Sequence, residues 1–179
     1  MKTLIIYLLL LSTKYLVGVN VVTVKPDTDS NFQFTLEAPE EFTVHAQLSS
    51  LMFEDRTKHK VGIIHFEKKN KESQFEETWA KTLKELDSDF PKAQKIENTP
   101  LQFPQMPQLI STRVITLQTA KNPPLGFVRL ILLETNDHLY RLSVGNDNSL
   151  EELNQLSQTI ASQLSLSKLS LEKNPHTAS

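Results

Sequence analysis

The stretch Leu125 to Val144, LGFVRLILLETNDHLYRLSV, predicts two antiparallel strands joined at Thr135 to His138. In its first arm, Phe127 to Leu133, the residues that would point to either face of the strand are apolar except for Arg129. Both faces of this arm must therefore be covered. The second arm alternates between apolar and polar residues, as a strand with one wetter face does. We therefore expect the first arm to lie in the middle of a sheet.

Four other segments are predicted strands, because they alternate in polarity or are apolar almost throughout. They are Phe32–Leu36, Phe42–Leu48, Val61–Phe66 and Leu109–Leu117. Pro39 ends the first of these strands. The tracts Glu54–Lys60 and Glu67–Glu72 carry charges of both signs and are predicted to be solvated loops.

Ser73 to Asp89 is a predicted helix. Ser73 and Glu76 have the spacing of a capping box, and Pro91 ends the pattern. The apolar residues recur at helical spacing along one stripe. They are Phe75, Trp79, Leu83, Leu86 and Phe90. The sequence predicts Trp79 at the centre of the core.

A second predicted helix begins at Ser149, which forms a capping box with Glu152. Its apolar face runs from Leu150 to Leu164. Between the first helix and the strand at Leu109, the link Lys92–Pro107 contains three prolines and cannot be a regular helix or central strand.

Strands joined mostly by short turns predict an antiparallel sheet, and each amphipathic helix needs an apolar surface to cover. The expected fold class is α+β. The sequence predicts a three-layer sandwich, an antiparallel sheet of about six strands with a helix on each face.

The first residues have the pattern of a secretory signal peptide, with Lys2 before the apolar run Leu4–Leu11 and Gly18 near a cleavage point. The run is too short to span a bilayer, although an uncleaved anchor is the alternative. The predicted organisation is a signal peptide at 1–19, a leader at 20–30, one domain at 31–168 and a disordered tail at 169–179.

Composition excludes several classes of protein. The chain has no cysteine, so it has no disulfide, thiol nucleophile or thiolate metal site. Nineteen basic residues against 21 acidic ones give no positive field for nucleic acid. We therefore expect no nucleic-acid partner.

The chain resembles the PsbP-like superfamily, which includes the PsbP subunits of photosystem II and DcrB-like exported bacterial proteins. The resemblance rests on FTLEAPEEF (Phe34 to Phe42), the helix centred on Trp79, and LYRLSV (Leu139 to Val144) with the helix after it. It covers Phe32 to Lys168. The resemblance implies the α+β sandwich and supplies no site residue, since fold does not imply function.

Motifs that carry chemistry are missing from the sequence. It has no glycine-rich phosphate loop, no HExxH pair and no GxSxG elbow. His45 and His65 are the only candidates for metal binding, if they meet across neighbouring strands; the alternative is that each is an ordinary surface or hydrogen-bonded histidine. We predict no catalytic residue and no cofactor, and a pKa of His65 below its ordinary value if the ring is buried without an anionic partner.

These observations predict a non-catalytic exported protein, periplasmic or extracellular, that binds another protein or an envelope component. The alternative is a small-ligand or metal carrier, with its pocket between the sheet and the link Lys92–Pro107. An enzyme is the third possibility, disfavoured because no pair of nucleophile and base is visible.

Overall fold

The computed structural model describes residues 19–24, 32–39, 42–47, 50–55, 60–96, 98, 100–119, 126–147 and 149–168. Over these residues the chain is α+β, as predicted, with ten strands and two helices. In chain order they are β1 (Val19–Val24), β2 (Phe32–Pro39), β3 (Thr43–Gln47), β4 (Ser50–Asp55), β5 (Lys60–Lys68), α1 (Gln74–Asp89), β6 (Gln94–Ile96), β7 (Ser111–Gln118), β8 (Phe127–Glu134), β9 (His138–Asn146), α2 (Leu150–Gln163) and β10 (Leu164–Lys168). Apart from Val19, the predicted signal peptide lies outside the described residues, as does the predicted tail.

Seven of the described strands form one antiparallel sheet in the order β3-β4-β5-β9-β8-β7-β6. The predicted hairpin is confirmed: β8 pairs with β9, and the Thr135 N–H donates to the His138 carbonyl at 3.0 Å to close the turn. β8 lies inside the sheet between β7 and β9, as its two apolar parities predicted. Five of the six predicted strands lie in this sheet, which also contains β4 and β6. The sixth predicted strand, β2, lies in a different sheet.

A second sheet of three described strands has the order β1-β2-β10. It includes β1, which pairs with β2 from Val19 to Val24, so the first part of the predicted leader is a strand. Valine is β-branched and favours extended backbone, and β1 has four valines among its six residues. The leader prediction is therefore wrong for residues 20–24.

The second helix ends one residue before the end of its predicted apolar face. α2 ends at Gln163, and Leu164 is extended with φ −75° and ψ 122°. Leu164 is fully buried and pairs with Leu36 as the first residue of β10. Its apolar side chain fits the helical stripe and the strand equally well, so periodicity alone could not separate them.

The main hydrophobic cluster joins the two sheets. Phe34 of β2 is fully buried, and its ring stacks on Tyr140 of β9 with centroids 5.3 Å apart. The same ring meets Phe66 of β5 edge-on at 5.0 Å. α2 adds buried leucine and isoleucine side chains to this cluster.

Successive side chains of β8 enter different clusters. Val128 and Leu130 pack with Leu86 of α1, whereas Ile131 and Leu133 belong to the main cluster with α2. Both parities of β8 are thus covered, which explains why this strand is apolar almost throughout.

The two helices begin differently. The Ser149 hydroxyl accepts a hydrogen bond from the Glu152 N–H at 3.1 Å, so the predicted cap of α2 is confirmed. At the start of α1, Ser73 has helical backbone and makes no capping bond; its hydroxyl donates to Glu77 at 2.8 Å. The capping box predicted with Glu76 is wrong, because an N-cap needs extended backbone to aim its side chain at the first turn.

Trp79 does not lie at the centre of the core. Within the predicted stripe Phe75 and Leu86 are buried, whereas Trp79 is half-buried and packs against the margins of two small clusters. The main cluster forms instead between the two sheets. Sequence spacing located the apolar face of α1 but could not show that this face covers the smaller part of the core.

Replacing Trp79 with alanine should lower the free energy of unfolding by about 1–2 kcal/mol, less than the about 3–5 kcal/mol typical of a buried aromatic. The ring is only half-buried, so less apolar area is lost. Urea denaturation measures the change, with Phe75→Ala as the buried control on the same helix. Equal losses for the two variants would contradict this expectation.

Candidate functional site

A cleft of about 540 Å³ lies between α1 and the sheet, next to β5 and β9. α1 packs against β7 and β8 through Leu86, while the same face of the sheet continues onto β9 and β5. The helix therefore leaves part of that face uncovered. The cleft occupies this gap.

The floor of the cleft is apolar and its walls are polar. Leu132 of β8 and Leu139 of β9 form the floor. His65 of β5 and Arg141 of β9 are direct register partners and stand side by side on the sheet. Thr78, Lys81 and Thr82 face them from α1. Such a combination of apolar floor and convergent polar groups is typical of ligand sites.

Gln74 fixes one end of the cleft. Its side-chain oxygen accepts from the Asn70 N–H at 2.6 Å, and its amide donates to a Glu67 carboxylate oxygen at 2.7 Å. The same amide also donates to the Lys68 carbonyl at 3.3 Å. These bonds hold the first turn of α1 against the end of β5.

Thr82 is the unusual polar group in the cleft. The residue is only 4% exposed, and its hydroxyl has no hydrogen-bond partner in the described part of the chain. A buried hydroxyl without a partner costs about 1–3 kcal/mol. A polar ligand atom in the cleft would remove that cost.

The charged groups around the cleft are unevenly paired. Lys71 contacts Glu77 at 2.6 Å, and this ammonium, together with the Ser73 hydroxyl, holds the pKa of the Glu77 carboxyl below its ordinary value. Arg141 and Lys81 share one carboxylate, that of Glu85, at longer distances of 3.4 and 3.7 Å. These two cations are therefore weakly held.

His65 is half-buried on the wall of the cleft. Partial burial lowers the pKa of its imidazole below the ordinary value of 6.5, and the neighbouring Arg141 guanidinium lowers it further. The predicted direction of the pKa shift is confirmed. The contribution of Arg141 could not be predicted, because it depends on the register of β5 against β9.

The free energy of unfolding should decrease as the pH falls below about 6.5, the ordinary pKa of histidine. The folded pKa of His65 is lower than this, so the unfolded chain binds the proton more tightly. The stability that neutral His65 contributes is fully present above the pKa of the unfolded chain. It is lost as the pH falls through the pKa of His65 in the folded protein. Urea denaturation between pH 5 and pH 8 measures it, and His65→Gln should reduce the slope. An unchanged slope in the variant would contradict the assignment.

The two histidines considered as candidate metal ligands lie on strands that are not neighbours. His45 lies on β3 with its side chain 52% exposed and 3.6 Å from Glu54 of β4. β4 separates β3 from β5, which carries His65, so the two side chains are not on neighbouring strands. Among the described residues, no three His, Asp or Glu side chains converge as a metal site requires.

Arg129 forms a second polar cluster, inside the protein. It is fully buried on β8, with its Nε donating to the Thr116 hydroxyl at 2.9 Å and its Nη2 donating to Asn154 of α2. Thr116 donates in turn to Asn98 at 2.9 Å. The Nη1 group has no partner among the described residues, and burial lowers the pKa of the guanidinium. The sequence signal was a single charge in an apolar strand, and it gave no indication of these partners.

The link Lys92–Pro107 does not line the cleft. Phe103 and Met106 in this link are buried in the main hydrophobic cluster. Its described residues include a short strand, β6, at the edge of the large sheet. The cleft beside α1 is therefore a different site from the pocket predicted beside this link.

No protein-family model matches this chain, and no curated protein matches it significantly. Neither helix in the described residues has both the length and the apolar character needed to cross a bilayer.

Proposed function

We propose that this chain is an exported, non-catalytic binding protein that holds its partner, another protein or an envelope component, in the cleft beside α1. The observation that carries the proposal is the cleft itself. It has an apolar floor, convergent polar walls and a buried hydroxyl, on Thr82, that lacks a partner among the described residues. A group bound there would gain apolar contact and satisfy that hydroxyl.

The contacts of the acidic groups support binding rather than acid–base catalysis. Glu67 accepts a hydrogen bond from Gln74, and Glu77 is paired with Lys71 at 2.6 Å. A catalytic carboxylate must instead point at the proton that it transfers. Burial, and then the neighbouring Arg141 guanidinium, lower the pKa of His65 and so favour the neutral imidazole, which suits a hydrogen-bonding group.

The proposed architecture is a three-layer sandwich of the PsbP-like superfamily, with α1 and α2 on opposite faces of the large sheet. The alternation along β8 supports this arrangement. Leu130 packs with α1, and its neighbour Ile131 packs in the cluster that contains α2. Adjacent residues of a strand point to opposite faces of the sheet.

The export proposal includes cleavage near Val19 or Asn20. Its support is the basic start and short apolar run of the sequence, together with the position of β1, which begins at Val19. Cleavage at that point would leave the second sheet intact. N-terminal sequencing of protein recovered outside the cytoplasm tests it, and finding Met1 would favour an uncleaved anchor.

Affinity capture with a blocked cleft tests the binding site. Thr78→Trp places a large ring on the cleft wall, and Ala80→Trp adds the same ring at an exposed position of α1 outside the cleft. Partners retained by wild type and Ala80→Trp, but lost by Thr78→Trp, would support the proposal. Equal capture by both variants would exclude the cleft as the site.

A further inference from the structure

We propose that the partner of the cleft carries an anionic group, a carboxylate or phosphate, that binds between Arg141, Lys81 and Thr82. This inference rests on the proposed function, because it names the chemistry that the same cleft would recognise. Two observations support it. They are the distribution of charge around the cleft and the Thr82 hydroxyl, which has no hydrogen-bond partner among the described residues.

The cleft has a surplus of positive charge. Its lining includes three permanent cations, Lys71, Lys81 and Arg141, and two carboxylates, Glu67 and Glu77. Both carboxylates are already engaged, one by the Gln74 amide at 2.7 Å and the other by Lys71 at 2.6 Å. The cations left to a ligand are Lys81 and Arg141.

Lys81 and Arg141 are held by a group outside the cleft. Both contact Glu85, which does not line it, at 3.7 and 3.4 Å. Strong charge-assisted hydrogen bonds measure about 2.7–2.9 Å, so these contacts are weak. An anion in the cleft could form shorter bonds to the same cations without removing a strong pair.

Thr82 follows Lys81 on α1 and contributes a hydroxyl to the lining of the cleft. It is almost fully buried, lines the cleft and has no partner among the described residues. Leu132 and Leu139 form an apolar floor below it. This arrangement suits a ligand with an anionic head and a short apolar part.

His65 couples this site to pH. It is the register partner of Arg141, which also contacts Glu85 of α1. The other charged residues that line the cleft are Glu67, Lys71, Glu77 and Lys81. A bound anion would counter the repulsion from Arg141. Binding should therefore tighten as the pH falls through the pKa of His65, and binding should raise that pKa.

The first experiment compares two probes with the same apolar chain, hexanoate and hexanol. Isothermal titration calorimetry on the exported protein should detect binding of hexanoate and much weaker binding of hexanol. NMR titration of the His65 ring should show a pKa raised by hexanoate. Vesicles with and without phosphatidylglycerol then distinguish a lipid head group from a free anion as the source.

Two arginine variants provide a matched control. Arg141→Gln should weaken hexanoate binding at least about tenfold, the loss expected when one hydrogen bond to a charged group is removed. Arg113→Gln removes an arginine that also pairs with a glutamate of α1, Glu76 at 2.7 Å, but does not line the cleft. It should leave the affinity unchanged.

Several outcomes would overturn the anionic assignment. Equal affinities for hexanoate and hexanol, or an unchanged affinity in Arg141→Gln, would show that charge is not recognised. Failure of hexanoate to bind, while Thr78→Trp still abolishes capture of a partner, would overturn the anionic class and leave the proposed function standing. If hexanoate does not bind and Thr78→Trp does not reduce capture of a partner, the cleft is not a binding site.

Discussion

Replacing Phe34 with alanine is expected to lower the free energy of unfolding by about 3–5 kcal/mol, the range for truncating a buried aromatic side chain. Phe34 is fully buried and makes aromatic contacts between β2 and the large sheet. Its ring packs on both Tyr140 and Phe66, and these pairs add about 0.5–1.5 kcal/mol each beyond the buried area. The variant would leave a cavity between the two sheets.

Urea denaturation measures this loss, with Ile110→Ala as the control. Ile110 is 55% exposed, so its truncation should change the stability by less than about 0.5 kcal/mol. A loss below about 1 kcal/mol for Phe34→Ala would mean that the second sheet contributes little to the core. That result would contradict the packing of the second sheet against β5 and β9 through Phe34.

Replacing Gly62 with valine should lower the free energy of unfolding by about 3 kcal/mol, at the upper end of the range for overpacking. Gly62 is the register partner of Phe53, whose ring lies across it. A Cβ at residue 62 would lie 1.9 Å from the ring's Cζ, far inside contact distance. In an open strand, replacing glycine normally has the opposite sign, because glycine loses more entropy on folding.

A double-mutant cycle isolates this clash. Phe53→Ala removes the ring, so Gly62→Val should be neutral or stabilising in that background. Thermal or urea denaturation of the four proteins gives the coupling energy. An equal cost of Gly62→Val with and without the Phe53 ring would show that the ring is not the cause.

The hairpin and the fold class could be predicted because local rules determine them. β8 is apolar at both parities and β9 follows it after a short turn, so pairing and burial are both visible in the sequence. β4 was missed because Glu54 and Asp55 indicated a solvated loop. The structure places Asp55 at the end of β4, almost fully buried.

The cleft could not be predicted, because it depends on contacts between distant segments. His65 was visible as the polar residue of an apolar strand. Its neighbour Arg141 is defined only by the register of β5 with β9, and Thr82 by the way that α1 packs. The contact between Gly62 and the Phe53 ring likewise depends on the register of β4 with β5. The sequence alone therefore did not indicate a role for Gly62.

The position of β2 between β1 and β10 bears on when the domain can be completed. β2 pairs residues 32–36 with residues 164–168, which span almost the whole described chain. A ribosome releases the chain from its N-terminus at about 5–20 residues per second, so β2 is made several seconds before β10. During that interval one edge of β2 has no strand to pair with and is open to the strands of other chains. Refolding should be slow for the same reason, because contacts of high sequence separation are costly to close.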